Sequence, residues 1–293
     1  MSEVIAKTDA RTVDEKFAFV KCLAADLSGG RIELPSFPDV VMRVRQALEK
    51  EDSSTQDLVK IISAEPVLAA RLLTLANSAA LKPGGDSITD LNMAVNRIGR
   101  SLIRSTAMAF ALAQLRSAQK LDSVKEHLET LWQRSAHVAA LSYVLTKQYT
   151  KLNPDEALFI GLMHGIGEMY IVVQADGHPV LFANEPDMSE IINKWSSPIG
   201  SSILESWGFA EHVCSAVGQY QESDRTHEGD VDFTDILILA YLLHRFVTAD
   251  EDVEVSLENV SAWQQMGIET TDLIGVLQKS DEQIRSLRHA LGK

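Results

Sequence analysis

The chain has 293 residues, 45% of them hydrophobic and 23% charged. That balance suits a globular protein with a sizeable core and excludes disordered and fibrous classes. The net charge is −14, and it is uneven: Glu222 to Lys293 carries 15 Asp/Glu against 6 Lys/Arg. A surface of that sign repels a phosphate backbone, so no nucleic-acid partner is expected. Met1-Ser2-Glu3-Val4 has no basic-then-apolar signal pattern, and Cys22 and Cys214 form no Cys-x-x-Cys. The longest apolar runs, such as Ile236 to Leu243, fall short of the roughly 20 residues that cross a bilayer. The expectation is a cytoplasmic protein with no membrane partner and no zinc motif.

In chain order, residues 1–12 read as polar and frayed. Val13 to Leu27 follows as a helix with Phe17, Val20, Leu23 and Leu27 on one side, stopped by Ser28-Gly29-Gly30. Leu34-Pro35-Ser36-Phe37-Pro38 is a stiff entry, and Pro38 suits the first turn of a helix over Asp39 to Leu48. Ser53-Ser54 caps the next helix. Pro66 opens another, Val67 to Asn77, with Leu68, Leu72, Leu73 and Leu75 as its core face. Lys82 to Asp86 is a loop. Ile88 to Ile98 and Leu102 to Leu115 are two helices split at Gly99, and Leu121 to Tyr149 is one long amphipathic helix. Asn153-Pro154-Asp155-Glu156 is a strong helix start, with Asn as cap and Pro in the first turn.

The stretch Gly161-Leu162-Met163-His164-Gly165-Ile166-Gly167-Glu168 then sets a histidine at a junction between two apolar runs. Ser189 to Trp195 reads as a helix, and Ser197-Pro198 as the cap of a separate one running to Trp207. Glu211 to Tyr220, Phe233 to Val247, Leu257 to Met266 and Thr271 to Leu291 complete the helices, with Gln221 to Asp230 a charged loop. No sustained period-two alternation occurs. The predicted class is all-α.

Several of these blocks together resemble the HDOD family, a regulatory branch of the HD-type metal phosphohydrolase superfamily. They are Leu34 to Pro38, Glu65-Pro66 through Asn77-Ser78, Ile88 to Gly99, Leu131-Trp132-Gln133-Arg134-Ser135, Ala157 to His164, and Ile199 through Trp207-Gly208. The resemblance covers roughly residues 27–225. It implies an HD-domain-like helical bundle over residues 27–228, a helical extension over 1–26 and an acidic helical segment over 229–293. The family-motif residues expected to be structural are Pro35, Pro38, Pro66, Asn77, Ser78, Gly99, Trp132, Gly161, Gly167 and Trp207. Glu65 stands where the family usually has Asp, the better helix cap.

In the catalytic superfamily an adjacent His-Asp pair, an upstream His and a C-terminal Asp hold a divalent metal. That metal activates water for attack on a phosphoester. Here the remnant of the pair is His164-Gly165. The upstream His position falls at or near Arg134, the closing Asp near Tyr241, and an additional His pair of some relatives at Gln219-Tyr220. Glu168, four residues from His164, could share a helix face with it, although Gly165 and Gly167 work against a continuous helix. His164 therefore reads as a hydrogen-bonded buried histidine ahead of a ligand, and the two glycines as a tight junction between packed helices. No metal, cofactor or catalytic residue is assigned.

Two further features stand apart. Arg97, Arg100 and Arg104 could share a face near Lys82 and hold a phosphate or an acidic partner, although a solvated basic face is the preferred reading. Asn77 ends its helix where a left-handed residue is often needed, and Ser78 could bond a freed backbone group. The resemblance implies a non-catalytic bacterial signalling module that binds a protein partner or a small ligand. Its partners would be response regulators, kinases or cyclic-dinucleotide enzymes, and a homodimer is compatible with it. The alternatives are a metal-dependent phosphohydrolase, or a cyclic-dinucleotide sensor built on the three arginines.

Overall fold

The computed structural model describes residues 2–29, 39–50, 53–81, 87–116, 123–178, 185–248 and 260–291. The motif Leu34 to Pro38, with Pro35 and Pro38, and the loop Lys82 to Asp86 lie outside the described residues. Helices run α1 Ser2–Gly29, α2 Asp39–Glu49, α3 Thr55–Ser63, α4 Pro66–Ala76, α5 Leu91–Arg116, α6 Lys125–Tyr149 and α7 Pro154–Met163. They continue as α8 Ile166–Ala175, α9 Glu185–Ser206, α10 Glu211–Gln219, α11 Phe233–Val247, α12 Ser261–Met266 and α13 Thr270–Leu291. No strand occurs among the described residues, and the fold is all-α. Helix α1 already begins at Ser2, where the polar composition had suggested fraying.

The axle is α6. From Val138 to Thr146 every residue is buried, and a helix that is covered all round must sit in the interior. α7 and α8 pack against it, buried without interruption from Ala157 to Val172. Together they make a 22-residue stretch, Pro154–Ala175, long and apolar enough to cross a membrane by composition. That corrects the reading that every apolar run is too short. Its most apolar window is 89% buried inside the fold, so its apolarity serves the bundle core.

Helices α2 to α5 pack on one another, α5 also meeting α6 and α7, while α9 packs on α8 and α10, and α11 on α6 and α10. The acidic C-terminal stretch is part of the same apolar core. Ile236 to Leu239 of α11 are buried beside α6, and α13 lays Leu287, Ala290 and Leu291 over α4 and α6. Trp263, unassigned from sequence, is buried as well. At the other end, α1 buries Phe19 and Leu23. It is tied down where the Tyr170 hydroxyl donates to Asp26 at 2.9 Å, and where Lys16 meets Asp187 at 2.6 Å.

Side-chain caps explain some of the helix starts. Ser54 and Asp57 form a reciprocal capping box at α3, and the Asn153 side chain accepts from the Asp155 N–H at α7. Glu65 makes no side-chain cap, leaving Pro66 to open α4. Gly99 takes φ 77°, a region that L side chains seldom occupy, and kinks α5 there. Two expectations need correction. Asn77 is not left-handed (φ −96°, ψ 3°). Its carboxamide instead donates to the carbonyls of Leu73 and Ile88 and accepts the Ile88 N–H at 2.8 Å, clamping the following loop to α4. The buried Ser78 hydroxyl bonds no backbone group.

The second correction is at Pro198, which does not start a helix. α9 runs through it, because Ile191, Ser196, Ile199 and Ile203 are buried on both sides of it. The Ser197 hydroxyl is drawn off to Gln221 at 2.7 Å rather than capping. α8 and α9 also touch backbone to backbone. A Cβ at Gly167 would lie 1.9 Å from the Ser196 carbonyl oxygen and 2.6 Å from the Gly200 nitrogen. Neither is a side-chain atom that could swing away, so Gly167→Ala is expected to destabilise the protein by about 3 kcal/mol, the upper end of overpacking costs. Urea unfolding checks this.

Candidate functional site: the His164 cleft

The chemistry-bearing residues collect where α6, the α7–α8 junction, the end of α10 and α11 meet. α6 brings His127, Arg134 and His137. The junction brings His164, Gly165 and Glu168, and α10 and α11 bring Tyr220, Tyr241 and His244. His164 closes α7 in helical conformation, so its side chain stays inside the bundle, fully buried. Its Nδ1 lies 2.6 Å from the Gly161 carbonyl oxygen. A carbonyl can only accept, so Nδ1 carries the proton and Nε2 is the bare acceptor. Nε2 has no partner. Tyr220 and Tyr241 pack their rings edge-on against the imidazole at 5.2 and 5.7 Å and against each other at 4.9 Å. Burial, reinforced by the charge of Arg134, pushes the His164 pKa down to about 4, and the ring is neutral at physiological pH.

Glu168 does not join His164. α7 ends before it and α8 turns its carboxylate toward α6, where Arg134 and His127 both bind it. Only 6% of the Glu168 side chain is exposed. Burial pushes this carboxyl up, but the Arg134 charge and the His127 hydrogen bond outweigh it and hold the pKa below the usual carboxylate range. Arg134 is likewise opposed by burial, yet Glu168 holds it firmly charged. Gly165 packs against α6, where an added Cβ would stand 2.7 Å from the Ser135 hydroxyl and 2.8 Å from a Leu131 methyl.

These residues are a poor fit for a divalent cation. Structural and catalytic sites use at least three protein donors. His164 supplies one nitrogen and Gly165 none, the Glu168 carboxylate is engaged by a guanidinium and by His127, and His137 and His244 face each other. Burial holds the Tyr220 phenol protonated by pushing its pKa up, so it offers no phenolate. The fixed positive charge of Arg134, close enough to lower the His164 pKa, repels a second cation.

The structure does not gather the three arginines into an anion site. Arg97 is exposed. Arg100 donates to the carbonyls of Leu48 at 2.5 Å, Ala47 and Lys50 at 3.3 Å and Ser53 at 3.4 Å, closing the C-terminal end of α2, where helix carbonyls lack partners of their own. Arg104 lies 4.6 Å over the Phe159 ring and 3.7 Å from Glu156. The Gly99 kink breaks the helical register that would have aligned Arg97 with the other two. Trp132 is buried in α6, Gly161 is buried where a Cβ would stand 2.6 Å from the Ala139 Cα of α6, and Trp207 packs beside Phe209 at the end of α9.

Two clusters were missed in the sequence. His137 and His244, 107 residues apart, place their Nδ1 atoms 2.9 Å from each other. One must donate and one accept, and burial together with the facing His137 pushes the His244 pKa down to about 3. No local spacing announces such a pair. His227, Asp232 and Asp235 also converge, with potential ligand atoms within 4.8 Å of one another. Arg225 already binds both carboxylates, at 2.6 and 2.8 Å, and the group ties the charged loop to the start of α11.

Comparison with known proteins agrees with this architecture. The HDOD domain family matches residues 34–223. A structure from Shewanella amazonensis SB2B, proposed to be a metal-dependent phosphohydrolase, superposes with TM-score 0.69 over 95% of this chain and 99% of its own, at 24% identity. One from Marinobacter aquaeolei VT8, proposed to be a signal transduction protein, gives 0.60 over 97% of this chain and 66% of its own, at 18% identity. At such identities the likeness is one of fold. An uncharacterized protein of Treponema pallidum (strain Nichols) is 23% identical over 212 residues, 67% of this chain, and the chain spans 39% of that relative's length. The family match covers well over half of the sequence, and the chain belongs to the HDOD domain family.

Proposed function

We propose that this chain is a non-catalytic regulatory module of signal transduction, acting by binding other signalling proteins or a small ligand rather than by turning over a substrate. The observation that carries this reading is the Arg134–Glu168 ion pair beside His164. A guanidinium stands next to the remnant histidine, and the nearest carboxylate is engaged with it. Water activation by a metal needs an open coordination position and a cation to lower the water's pKa, and this donor set is unsuited to both. The regulatory side of the proposal rests on membership of the HDOD family and on the signalling role proposed for the Marinobacter structure. On this reading the segment 229–293 is an integral cover of the domain, since α11 and α13 bury its core.

The test is metal content of the purified protein together with phosphodiester hydrolysis in added Mn²⁺, for the wild type and His164→Ala. Near-zero bound metal and background hydrolysis in both are expected. Stoichiometric metal that disappears in the variant would overturn the proposal.

Two consequences for stability follow from the same site. Glu168→Ala leaves the guanidinium inside the cleft without its counter-charge, a loss of about 3–5 kcal/mol, whereas joint replacement of Arg134 by Met and Glu168 by Leu should come close to wild-type stability. Denaturant midpoints of the three proteins decide this. The second consequence is pH dependence. His164 has a folded pKa of about 4 against 6.5 in a free side chain, so as pH falls the unfolded chain takes up the proton first. Its contribution is intact above about pH 6.5 and is lost progressively down to pH 4, at about 1.4 kcal/mol per pH unit. The melting temperature should fall through that window. His164→Phe should flatten the slope by one proton, leaving the part owed to His244.

A further inference from the structure

α1 meets α9 where Lys16 bonds Asp187 at 2.6 Å and Glu190 at 2.7 Å. Phe19 and Leu23 turn from α1 into the core. Beside them a groove of ≈ 270 Å³ runs between the two helices, walled by Val20 of α1 and by Ile191 and Trp195 of α9. Phe17 stands on its rim, 72% exposed, more than any other large apolar side chain among the described residues. Val20, Ala24 and Leu27 follow Phe17 at steps of three, four and three residues, the spacing that lays an apolar seam along a helix. An exposed aromatic at the end of such a seam, beside an apolar groove, marks an interaction surface.

The charges around the groove identify what covers it. Glu190, with a side chain 67% exposed, stands one turn before Lys194 on α9 and bonds Lys16 instead of it. Lys194 is exposed and makes no ion pair among the described residues. Lys16 and Lys194 thus stand against Asp187 and Glu190, so this rim is balanced in a chain whose net charge is −14. Two copies repel each other over most of their surface, but not here. A strongly acidic or basic partner finds no excess of the opposite sign, whereas a second copy presents both signs again. About a two-fold axis the same patch serves both partners and each contact occurs twice.

We infer that two copies of this chain associate across the α1–α9 groove about a two-fold axis. Each Phe17 enters the groove of the other copy beside Trp195, and Lys194 of each copy meets Glu190 of the other, which sets the register. A patch of this extent suits a weak, reversible dimer and not an obligate one. This association goes beyond the proposed regulatory role and uses no group of the His164 cleft, so metal content and hydrolysis do not bear on it.

Sedimentation velocity of the full chain up to about 500 µM tests it, with a dimer of Kd below about 200 µM expected. Phe17→Glu and Lys194→Glu should each weaken association at least roughly tenfold. Glu190→Lys alone should do the same. An equimolar mixture of Lys194→Glu and Glu190→Lys chains should recover it, because opposite charges then face each other at both contacts. Phe246→Glu, at a 65% exposed aromatic of α11, should leave the dimer unchanged. Circular dichroism checks that each variant folds, and if Phe17→Glu does not, the charge variants decide alone. The proposal is overturned by weaker association or a monomer throughout, by oligomers that grow beyond two copies, or by a dimer that survives both Phe17→Glu and Lys194→Glu. Equal loss in Phe246→Glu, or a mixture that stays monomeric, overturns it as well.

Discussion

An arginine and a glutamate facing each other between α6 and α8 impose the main constraint on this molecule. Both charges leave much of their water behind, and neither could remain there alone. The pair sets the distance between the axle helix and α8 and fixes the turn of α8 about its own axis. Burial, with the charge of Arg134 added to it, keeps the neighbouring histidine neutral. The rest of the cleft follows from that arrangement. Since the imidazole carries no charge, it packs against two tyrosines as an aromatic would, and the region becomes core.

The same logic applies to the other polar groups in the fold. Arg100 closes a helix end, Arg104 lies over aromatic rings, Arg225 bridges two carboxylates, and Asn77 stitches a loop to a helix. In each case a side chain that could reach outward to a ligand is turned inward to satisfy the protein's own backbone or charge. Buried polar groups need such partners, and an acidic chain of this size uses its few arginines largely for that purpose.

How much of this was legible in the sequence depends on the range of the interaction. Helices with strong caps, such as α3 at Ser54 and α7 at Asn153, were readable because the capping residues lie within three positions of the groups they satisfy. The kink at Gly99 was readable because a glycine interrupts two apolar periodicities. The resemblance pointed to Arg134, Tyr220 and Tyr241, and the fold brings all three around His164. The partners were not legible. That Glu168 would reach Arg134 rather than His164 depends on how α8 turns against α6, and the His137–His244 contact joins residues with no local signal. The passage of α9 through Pro198 likewise reflects burial on both flanks overriding a local preference. Pairings set by packing enter only once the helices are in place.

The closure of α13 over α4 has a temporal meaning. Arg71 donates to the carbonyl of Leu291 across 220 positions, and the Ala79 N–H donates to the Ser286 hydroxyl across 207. Contacts between such distant residues form slowly, because the chain between them must first be ordered. During synthesis the earlier helices emerge long before their cover, so the apolar face of α4 that meets α13 stays open until α13 is made. Completion of this domain is thus tied to the arrival of its C-terminal helix, and a ribosome that stalled in the acidic stretch would leave the earlier bundle uncovered and prone to association.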